Sequence, residues 1–374
     1  MKRVAIQLTS TGGFYGAERT LVELAAYLAA QGWESHVIAL EGKGAREVVR
    51  RCVDSGVHAA AYTQDGRLGV RTLLGKLRAT FERHPRAIFH SHGYKPDILL
   101  AALRAPGRLG CVSTCHTWYS DTVKMKLTER LDKRVLRGFD HVVAVSDEIR
   151  MDLLSSGVAH GKVSRIDNGI SIPPADPEAR AAIRSEFGIA PAERLIVQIG
   201  RLAKSKRNDV LLEAASRLPA ALPVRLLLVG EGDQRQALAE RASALGLAAR
   251  VTFCGYRSDA HRILAAADLL ALTSNKEGLP IILLEAMAIG CPIVTTAVGA
   301  IPTVLKHDES AWVIAAENVQ AFTGAIADAL ENPSVAQLRA VHAKRVFESR
   351  FSREVMGRRY LDLYEKIWQT RGWA

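Results

Sequence analysis

The sequence of 374 residues lacks the features of membrane-spanning, secreted and repeat proteins. It contains no run of about 18 consecutive apolar residues, which excludes a helix that crosses a membrane. Its five cysteines are odd in number and scattered, so the sequence predicts a reducing compartment, the cytoplasm, and no disulfide framework. The first residues alternate from apolar to polar within a few positions, which indicates a first strand rather than a signal peptide. Low-complexity tracts and short repeats are also absent.

Two classes of nucleotide-binding protein lack their sequence signals here. Neither half of the chain carries Gly-x-Gly-x-x-Gly at its first turn, which disfavours a nicotinamide dehydrogenase. The basic residues are not interleaved with aromatic residues, and no nucleic-acid motif occurs, so a non-enzymatic nucleic-acid or nucleotide-binding protein is the weaker alternative. We therefore predict no nucleic acid among the partners.

The chain has the composition of a globular protein that is too long for one core. Hydrophobic residues make up 48% and charged residues 24%, and this length favours two domains of roughly 150–200 residues. Short aliphatic runs alternate with helical patterns, which predicts parallel sheets covered by helices. The predicted strands are Val4–Thr9, Ser35–Leu40, Ala87–Ser91, Cys111–Cys115, His141–Val145 and Val163–Ile166, and then Leu195–Ile199, Arg225–Val229, Arg250–Cys254, Leu269–Thr273, Pro292–Thr296 and Trp312–Ile314. A proline-rich linker, residues 168–177, separates the two series.

These series predict an α/β protein with two Rossmann-like domains whose sheets face each other across a cleft. We place the first domain at residues 1–170 and the second at residues 171–354. Apolar residues recur along one face of residues 355–368, so a helix at 355–374 should pack back on the first domain.

Net charge points to an anionic partner. The chain carries a formal charge of +11, and residues 1–170 hold 25 Lys and Arg against 17 Asp and Glu. Most of these bases fall in Arg67–Arg108 and Lys124–Arg137. A membrane surface, a phosphorylated substrate, or simply solvent could face them.

In the first half, polar residues that follow strands are the candidates for ligand binding, because ligands bind beyond the carboxyl ends of parallel strands. Three glycines precede a helix, Gly12, Gly13 and Gly16, and would let backbone amides approach an anion; a plain turn is the alternative. His116 follows the strand that ends at Cys115, and could bind a sugar hydroxyl or phosphate or be structural. His90 and His92 form a same-face pair. Zinc is disfavoured, because Cys111 and Cys115 share a strand face that His116 does not.

In the second half, two cations and two carboxylates follow strands. Arg201 and Lys206 suit a diphosphate, with a solvated loop as the alternative. A helix is predicted at Ile282–Ile289, with Pro280 suited to the first helical position, and its amino end can bind phosphate. Glu285 could accept from a ribose diol and Glu277 would lie near the sugar, which fits a nucleotide sugar; ordinary loop and helix acids are the alternative.

With these residues the chain resembles the retaining nucleotide-sugar glycosyltransferases of family 4, also called group 1, which have the GT-B fold. The resemblance covers nearly the whole chain. The matching motifs are Gly12-Gly13 with residues 16–19, Cys115-His116, Val145-Ser146, Asn168-Gly169-Ile170, Gly200-Arg201 to Lys206, Val229-Gly230-Glu231-Gly232, residues 253–256 and Glu277 to Glu285 continuing to Pro292. The last of these, with seven residues between two glutamates, is the most specific.

The resemblance implies roles for individual residues. Catalytic roles fall on His116, Glu277, Arg201 and Lys206. Donor-binding roles fall on Gly13, Arg201, Lys206, Gly230, Gly255, Tyr256, Gly278, Leu279, Pro280, Ile281 and Glu285. The acceptor side comprises Gly12, Gly16, Glu18 and His92. The family's pattern is broken at Ser171, where aspartate is usual, and at residues 298–303, where Gly-Gly-x-Pro-Glu is usual, which affects the identity of the donor sugar more than the fold.

The expected reaction is transfer of a sugar from a nucleotide diphosphosugar, with a UDP-sugar favoured, to a saccharide or lipid-linked acceptor in cell-surface polysaccharide or lipopolysaccharide assembly. A GT-B epimerase or hydrolase of nucleotide sugars is the alternative. No Asp-x-Asp occurs, and Arg201 with Lys206 can supply the charge that a metal would provide, so no cofactor and no metal are expected. The basic first half further predicts peripheral contact with anionic lipid at the inner face of the cytoplasmic membrane.

Overall fold

The computed structural model describes residues 2–11, 13–14, 16–40, 44–62, 66–103, 109–116 and 123–373. The chain divides into two compact units. The first comprises Met1–Ser171 together with Arg350–Ala374, and the second comprises Ile172–Ser349. The first unit is therefore built from both ends of the sequence.

The first unit is a seven-stranded parallel sheet with helices between the strands. Its elements are β1 (Val4–Ser10), α1 (Gly16–Ala30), β2 (Glu34–Leu40), α2 (Ala45–Asp54), β3 (His58–Tyr62), α3 (Gly66–Arg83), β4 (Ala87–His92), α4 (Tyr94–Leu103), β5 (Gly110–Cys115), α5 (Val123–Leu136), β6 (His141–Ala144), α6 (Asp147–Ser155) and β7 (Val163–Arg165). The strand order is β3-β2-β1-β4-β5-β6-β7. The order reverses between β1 and β4, which marks the point where such sheets bind ligands.

One strand of this sheet was missed by the prediction of six strands. β3 lies at the edge of the sheet and pairs with β2, His36 opposite His58 and Leu40 opposite Tyr62. Its sequence is His-Ala-Ala-Ala-Tyr, and none of its residues is fully buried. An alanine-rich edge strand shows neither the β-branched residues nor the apolar alternation that predict strands.

A helix from the end of the chain completes the first unit. This helix, here numbered α15 (Arg353–Thr370) after the helices of the second unit, buries Met356, Tyr360, Tyr364, Ile367 and Trp368 in a core cluster with residues of β1, α1, β4, β5 and β6. Close packing against α1 occurs at Gly357, where a Cβ atom would lie 2.3 Å from the ring of Tyr27. The segment where the chain leaves this unit lies beside the segment where it returns. Ile170 and the Phe351–Arg353 segment exchange backbone hydrogen bonds there.

The second unit is a six-stranded parallel sheet. Its elements are α7 (Ala179–Glu186), β8 (Arg194–Ile199), α8 (Asn208–Ser216), β9 (Val224–Val229), α9 (Arg235–Ala244), β10 (Val251–Gly255), α10 (Ala260–Ala266), β11 (Leu269–Leu272), α11 (Ile281–Ile289), β12 (Ile293–Thr296), α12 (Ile301–Val304), β13 (Trp312–Ile314), α13 (Val319–Glu331) and α14 (Pro333–Arg350). The order is β10-β9-β8-β11-β12-β13, so the reversal lies between β8 and β11. All six strands predicted for this half are present.

Candidate active site

In the second unit, the loops that follow β8, β9 and β10 are joined by backbone hydrogen bonds. The Gly200 amide donates to Val229 at 2.9 Å, and the Leu202 amide donates to Glu231 at 2.8 Å. The Gly230 amide donates in turn to the carbonyl of Gly255 at 2.8 Å. These bonds fix the carboxyl ends of β8, β9 and β10 relative to one another, so the polar side chains of these loops project from a backbone with a defined position.

Glycine is required where these loops meet. Gly230 has a φ of +135°, and a Cβ atom there would lie 2.0 Å from the carbonyl oxygen of Gly200. A Cβ atom on Gly232 would lie 2.1 Å from the oxygen of Leu202. No side chain fits at such distances, which gives the predicted Val-Gly-x-Gly turn a structural reason.

Lys206 and Glu277 form an ion pair although 71 residues separate them in sequence. Lys206 ends a short 3₁₀ turn after β8, and Glu277 lies in the loop after β11. The Ser274 hydroxyl donates to the same Glu277 oxygen at 2.6 Å. Both partners of the pair are largely buried, with side-chain exposures of 22% and 11%. The structure thus brings together two of the predicted catalytic residues.

The Glu277 loop is also fixed from its other side. The Ala300 amide donates to the oxygen of Gly278 at 3.0 Å. Gly299 has a φ of +56°, and a Cβ atom on it would lie 2.1 Å from the backbone carbonyl oxygen of Glu277. The sequence pattern of the family is broken at this segment, yet the one glycine that remains stands where the backbone contact needs it.

Helix α11 starts directly after this loop. Pro280 precedes the helix with an extended ψ of 131° and Ile281 is its first residue, so the prediction that placed Pro280 inside the first turn was wrong by one residue. Proline still suits the position, since a residue in extended geometry bounds the helix and the amides of the first turn stay available for an anion. Glu285 is the fifth residue of α11 and is buried within the helix.

The remaining donor-side candidates differ in exposure. Arg201 is exposed, and its guanidinium has no ion pair or side-chain hydrogen bond within the described part of the chain. Gly255 has a φ of +68°, and Tyr256 beside it is 71% exposed. Gly278 and Leu279 lie in the loop between Glu277 and α11. Among the described donor-side candidates, Arg201 is therefore an unpaired cation and Lys206 a paired one, and both belong to the same unit as the amino end of α11.

In the first unit, the predicted glycine loop follows β1. Gly16 is the first residue of α1, and Glu18 in the first turn of that helix is buried. The backbone of Gly13 approaches Gly44 so closely that a Cβ atom on Gly44 would lie 2.3 Å from the Gly13 oxygen. Gly12 lies outside the described residues.

Three histidines at the ends of β4 and β5 lie next to one another in the first unit. The rings of His90 and His92 have centroids 4.2 Å apart, and those of His92 and His116 stack at 5.9 Å with an angle of 24°. The Nε2 atom of His92 is hydrogen-bonded to the amide oxygen of Gln7 at 3.1 Å. His116, predicted from its place after a strand, is thus stacked on His92, a residue predicted for the acceptor side.

The end of the chain holds the innermost of these histidines. His90 is hydrogen-bonded to the hydroxyl of Tyr364 at 2.6 Å and to Thr114 at 2.8 Å, and Thr114 is hydrogen-bonded to the hydroxyl of Tyr360 at 2.7 Å. The sequence gives no local signal for the contacts of these tyrosines or of Gln7, since the partners lie far apart in the chain. The spacing of Tyr360 and Tyr364 on one helical face predicted only that both side chains would be buried.

Burial keeps these histidines uncharged. Desolvation lowers the pKa of His116 to about 4 and that of His90 to about 3. The pKa of His92 is also well below its usual value, because of burial and the neighbouring histidines. All three rings are neutral near pH 7 and can donate or accept a hydrogen bond without carrying charge.

No group of histidine, cysteine or carboxylate side chains arranged to hold a metal ion occurs among the described residues. Cys111, Cys115 and His116, considered for zinc above, form no such group. The cysteines of the chain are free.

Comparison with known proteins finds a family match for most of each unit. Residues 179–346 match the family described as Glycosyl transferases group 1, and residues 14–172 match Glycosyltransferase Family 4. The chain is 27% identical over 247 residues to an N-acetyl-alpha-D-glucosaminyl L-malate synthase of Bacillus anthracis, a match that covers 64% of each protein and so less than two thirds of that relative. It is 26% identical over 372 residues to a D-inositol 3-phosphate glycosyltransferase of Mycobacterium avium, covering 91% of this chain and 87% of the relative.

Solved structures show the same fold. The crystal structure of Anabaena HepE in complex with UDP superposes with a TM-score of 0.84 at 22% identity, covering 98% of this chain and 100% of the other. The resemblance drawn from the motifs agrees with three findings. These are the two parallel α/β units, the two family matches that follow one another along the chain, and the superposition on HepE. The chain belongs to the group 1 glycosyltransferases, family 4, and has their GT-B fold of two Rossmann-like domains.

Proposed function

We propose that the protein is a retaining glycosyltransferase that moves a sugar from a nucleotide diphosphosugar to a saccharide or lipid-linked acceptor. The observation that carries the proposal is the Lys206–Glu277 pair beside the amino end of α11, with Arg201 exposed at the same strand ends. Family membership supports the reaction class, and retention of configuration is what the family resemblance implies.

The charges of the second unit suit a departing diphosphate. Arg201 can bind two phosphate oxygens at once, and Lys206 adds a compact charge. A positioned cation against charge that grows in the transition state contributes about 3 kcal/mol, or some hundredfold in rate. Since Lys206 is paired with Glu277, a diphosphate and the Glu277 carboxylate would share its three donors.

The amino end of α11 supplies further stabilisation for the phosphates. Its first amides have no acceptor within the helix, and the helix dipole favours negative charge there. Glu285, one turn further along, is proposed to accept hydrogen bonds from the ribose, and Glu277 to orient the sugar. We propose a UDP-sugar as donor, because HepE was crystallised with UDP and, in other crystals, with UDP-glucose.

The first unit is proposed to hold the acceptor and one side of the sugar. His116 and His92 present neutral rings, which can bind hydroxyl groups without attracting free anions. We propose that transfer needs neither a metal ion nor a cofactor, since Arg201 and Lys206 supply the positive charge that a metal would provide.

A screen of donors tests this proposal. The melting temperature should rise with one of the UDP-, GDP- or ADP-sugars and with the matching free nucleotide, because a ligand of the folded state stabilises by mass action. Turnover with that donor, followed by NMR of the product's anomeric proton with and without EDTA, tests retention and metal independence. Sugar release at equal rates with and without every acceptor would instead favour the hydrolase or epimerase alternative.

Two substitutions separate the roles of the glutamates. Glu285→Ala should weaken binding of the donor and of free nucleotide alike, since both contain the ribose. Glu277→Gln should weaken donor binding more than nucleotide binding. Equal loss of free-nucleotide affinity in both variants would contradict this division.

We further propose that the enzyme works in cell-surface polysaccharide or lipopolysaccharide assembly, in the cytoplasm and peripherally on the inner face of the membrane. The basic excess of residues 1–170 supports this position, and no described helix is long and apolar enough to span a bilayer. The relatives' names, an N-acetyl-alpha-D-glucosaminyl L-malate synthase and a D-inositol 3-phosphate glycosyltransferase, make a small or phosphorylated acceptor the rival to test.

A further inference from the structure

Helix α5 exposes a row of apolar side chains. Val123, Leu127 and Leu131 are 76%, 59% and 47% exposed. They lie four residues apart, so they follow one another along a single face of the helix. Exposed apolar residues that stand singly are common, whereas neighbouring ones add up to a patch that can serve as an interaction surface.

A row of basic residues runs beside the apolar row. Lys126, Arg130 and Arg134 are exposed and repeat with the same spacing, each three residues after an apolar one. The two acids of the helix do not join this face, because Asp132 is buried and Glu129 is ion-paired with Lys133. The described exposed face of α5 is therefore apolar and positive, without a negative charge.

The opposite side of α5 is fixed to the first unit. Leu136 belongs to the core cluster beneath the sheet's helices. Lys133 reaches Asp152 of α6 at 2.7 Å, and the Arg137 guanidinium donates to the Ser156 oxygen at 2.9 Å. These contacts fix α5 to the first unit through one side of the helix. The apolar and basic rows on the other side remain exposed to solvent.

We propose that this face of α5 is a docking surface for an anionic lipid bilayer. The apolar row would enter the boundary between head groups and acyl chains, and the basic row would meet lipid phosphates, as in helices that lie in the membrane interface. A second copy of the chain is disfavoured as the occupant, because it would bring two basic rows together. The proposal deepens the peripheral position stated above and is independent of the chemistry at the sugar site.

Helix α14 in the second unit provides a matched control. It also exposes apolar side chains in a row, with Val335 at 41% and Leu338 at 57%. Their exposed neighbours Ser334 and Gln337 carry no charge. If exposure of apolar residues alone caused vesicle binding, both helices would contribute to it.

Co-sedimentation with vesicles tests the proposal. The full chain should bind phosphatidylcholine vesicles that contain phosphatidylglycerol, bind pure phosphatidylcholine weakly, and keep part of the binding in high salt because the apolar row is not screened. Replacing Lys126, Arg130 and Arg134 together by Gln should weaken binding about a hundredfold, from about 1 kcal/mol per residue. Leu127→Gln with Leu131→Gln should weaken it about tenfold or more and remove the salt-resistant part.

The control variant, Val335→Gln with Leu338→Gln, should bind vesicles like the wild type. Thermal melting of each variant without ligand reports whether it is folded, and a separate donor-induced shift reports the sugar site, so a failure of the sugar chemistry is distinguishable from a failure of docking. Equal binding of the wild type to anionic and neutral vesicles, or unchanged binding by both α5 variants, would overturn the proposal. A wild-type dimer in sedimentation that the α5 leucine variant abolishes, with no vesicle binding, would assign the surface to a second copy instead.

Discussion

The two units present their candidate residues in opposite electrostatic states. In the second unit Arg201, Lys206 and Glu277 are charged and lie in loops beyond the strands. In the first unit His90, His92 and His116 lie at or just beyond strand ends, and burial keeps them neutral. The difference teaches that two Rossmann-like units can present polar residues beyond their strands in different charge states, depending on how deeply each side chain is buried.

The means of holding the residues differ as well. The second unit fixes its loops through backbone bonds and glycines, at Gly230, Gly232 and Gly299. The first unit fixes its histidines through side chains, two of them tyrosines of α15. Substitutions in the two units should therefore destabilise them by different mechanisms, overpacking against backbone in the second unit and loss of a side-chain hydrogen bond in the first.

The largest effect is expected from Lys206→Ala in the second unit. Loss of this cation should lower kcat/KM by about a hundredfold or more, because its charge faces charge that develops on the leaving group. Steady-state kinetics with the donor found by the thermal screen would measure this. Lys204→Ala, an exposed lysine on the same 3₁₀ turn, should leave kcat/KM close to that of the wild type. Near-normal turnover by Lys206→Ala would remove the diphosphate role and with it the electrostatic contrast between the units.

A large effect on stability is expected from Gly230→Ala. The added methyl group would meet the backbone oxygen of Gly200, which cannot move aside as a flexible side chain can. We expect a loss of about 3 kcal/mol in the free energy of unfolding, the upper end for overpacking. Gly324→Ala in α13, where nothing lies within 4 Å of the new atom, should be neutral or stabilising. Equal stabilities in urea unfolding would show that the loops are not held as described.

The corresponding change in the first unit is Tyr364→Phe. It removes the hydroxyl that binds buried His90 at 2.6 Å and leaves a ring nitrogen unpaired, at a cost of about 1–2 kcal/mol. Tyr94→Phe, on a partly exposed ring, should change the free energy of unfolding by less than about 0.5 kcal/mol. If both variants unfolded at the same urea concentration, the tyrosines would not be what holds the histidines.

The last prediction concerns pH, and its effect is absent near neutrality and appears only in acid. The pKa of His116 is about 4 in the folded protein, below its value of 6.5 in the unfolded chain. Protonation therefore favours unfolding, so stability is full above pH 6.5 and falls as the pH drops towards 4, by at most about 1.4 kcal/mol per pH unit for this group. Relative to His116→Asn, the wild type should lose stability over this range, as measured by urea unfolding at several pH values. Parallel pH profiles would mean that His116 is solvated rather than buried.

Much of the fold was predictable because it depends on local patterns. All twelve predicted strands exist, with ends within one residue of those observed, since buried parallel strands are aliphatic runs bounded by turn residues. The missed strand β3 shows the limit of this signal. Its alanines fit a strand only because β2 offers a partner, and pairing is not a local property.

Candidate residues for the site could be named from the sequence, but their contacts could not. Arg201, Lys206, Glu277 and His116 are candidates because they follow strands and match family motifs, and their roles stay predictions. The Lys206–Glu277 pair, the hydrogen bond of His92 to Gln7, and the tyrosines of α15 join residues 71 to 274 positions apart. Such contacts depend on strand order, which spacing within the sequence does not give.

The return of α15 to the first unit sets the order in which the protein can be completed during synthesis. Residues 172–349 form a continuous unit and can finish folding once they leave the ribosome. The first unit must wait, because its core lacks Tyr360, Tyr364 and Trp368 until the whole second unit has been made. A chain truncated near residue 349 would therefore combine a folded second unit with a first unit whose sheet is uncovered, so the unit that is translated first is the one that is finished last.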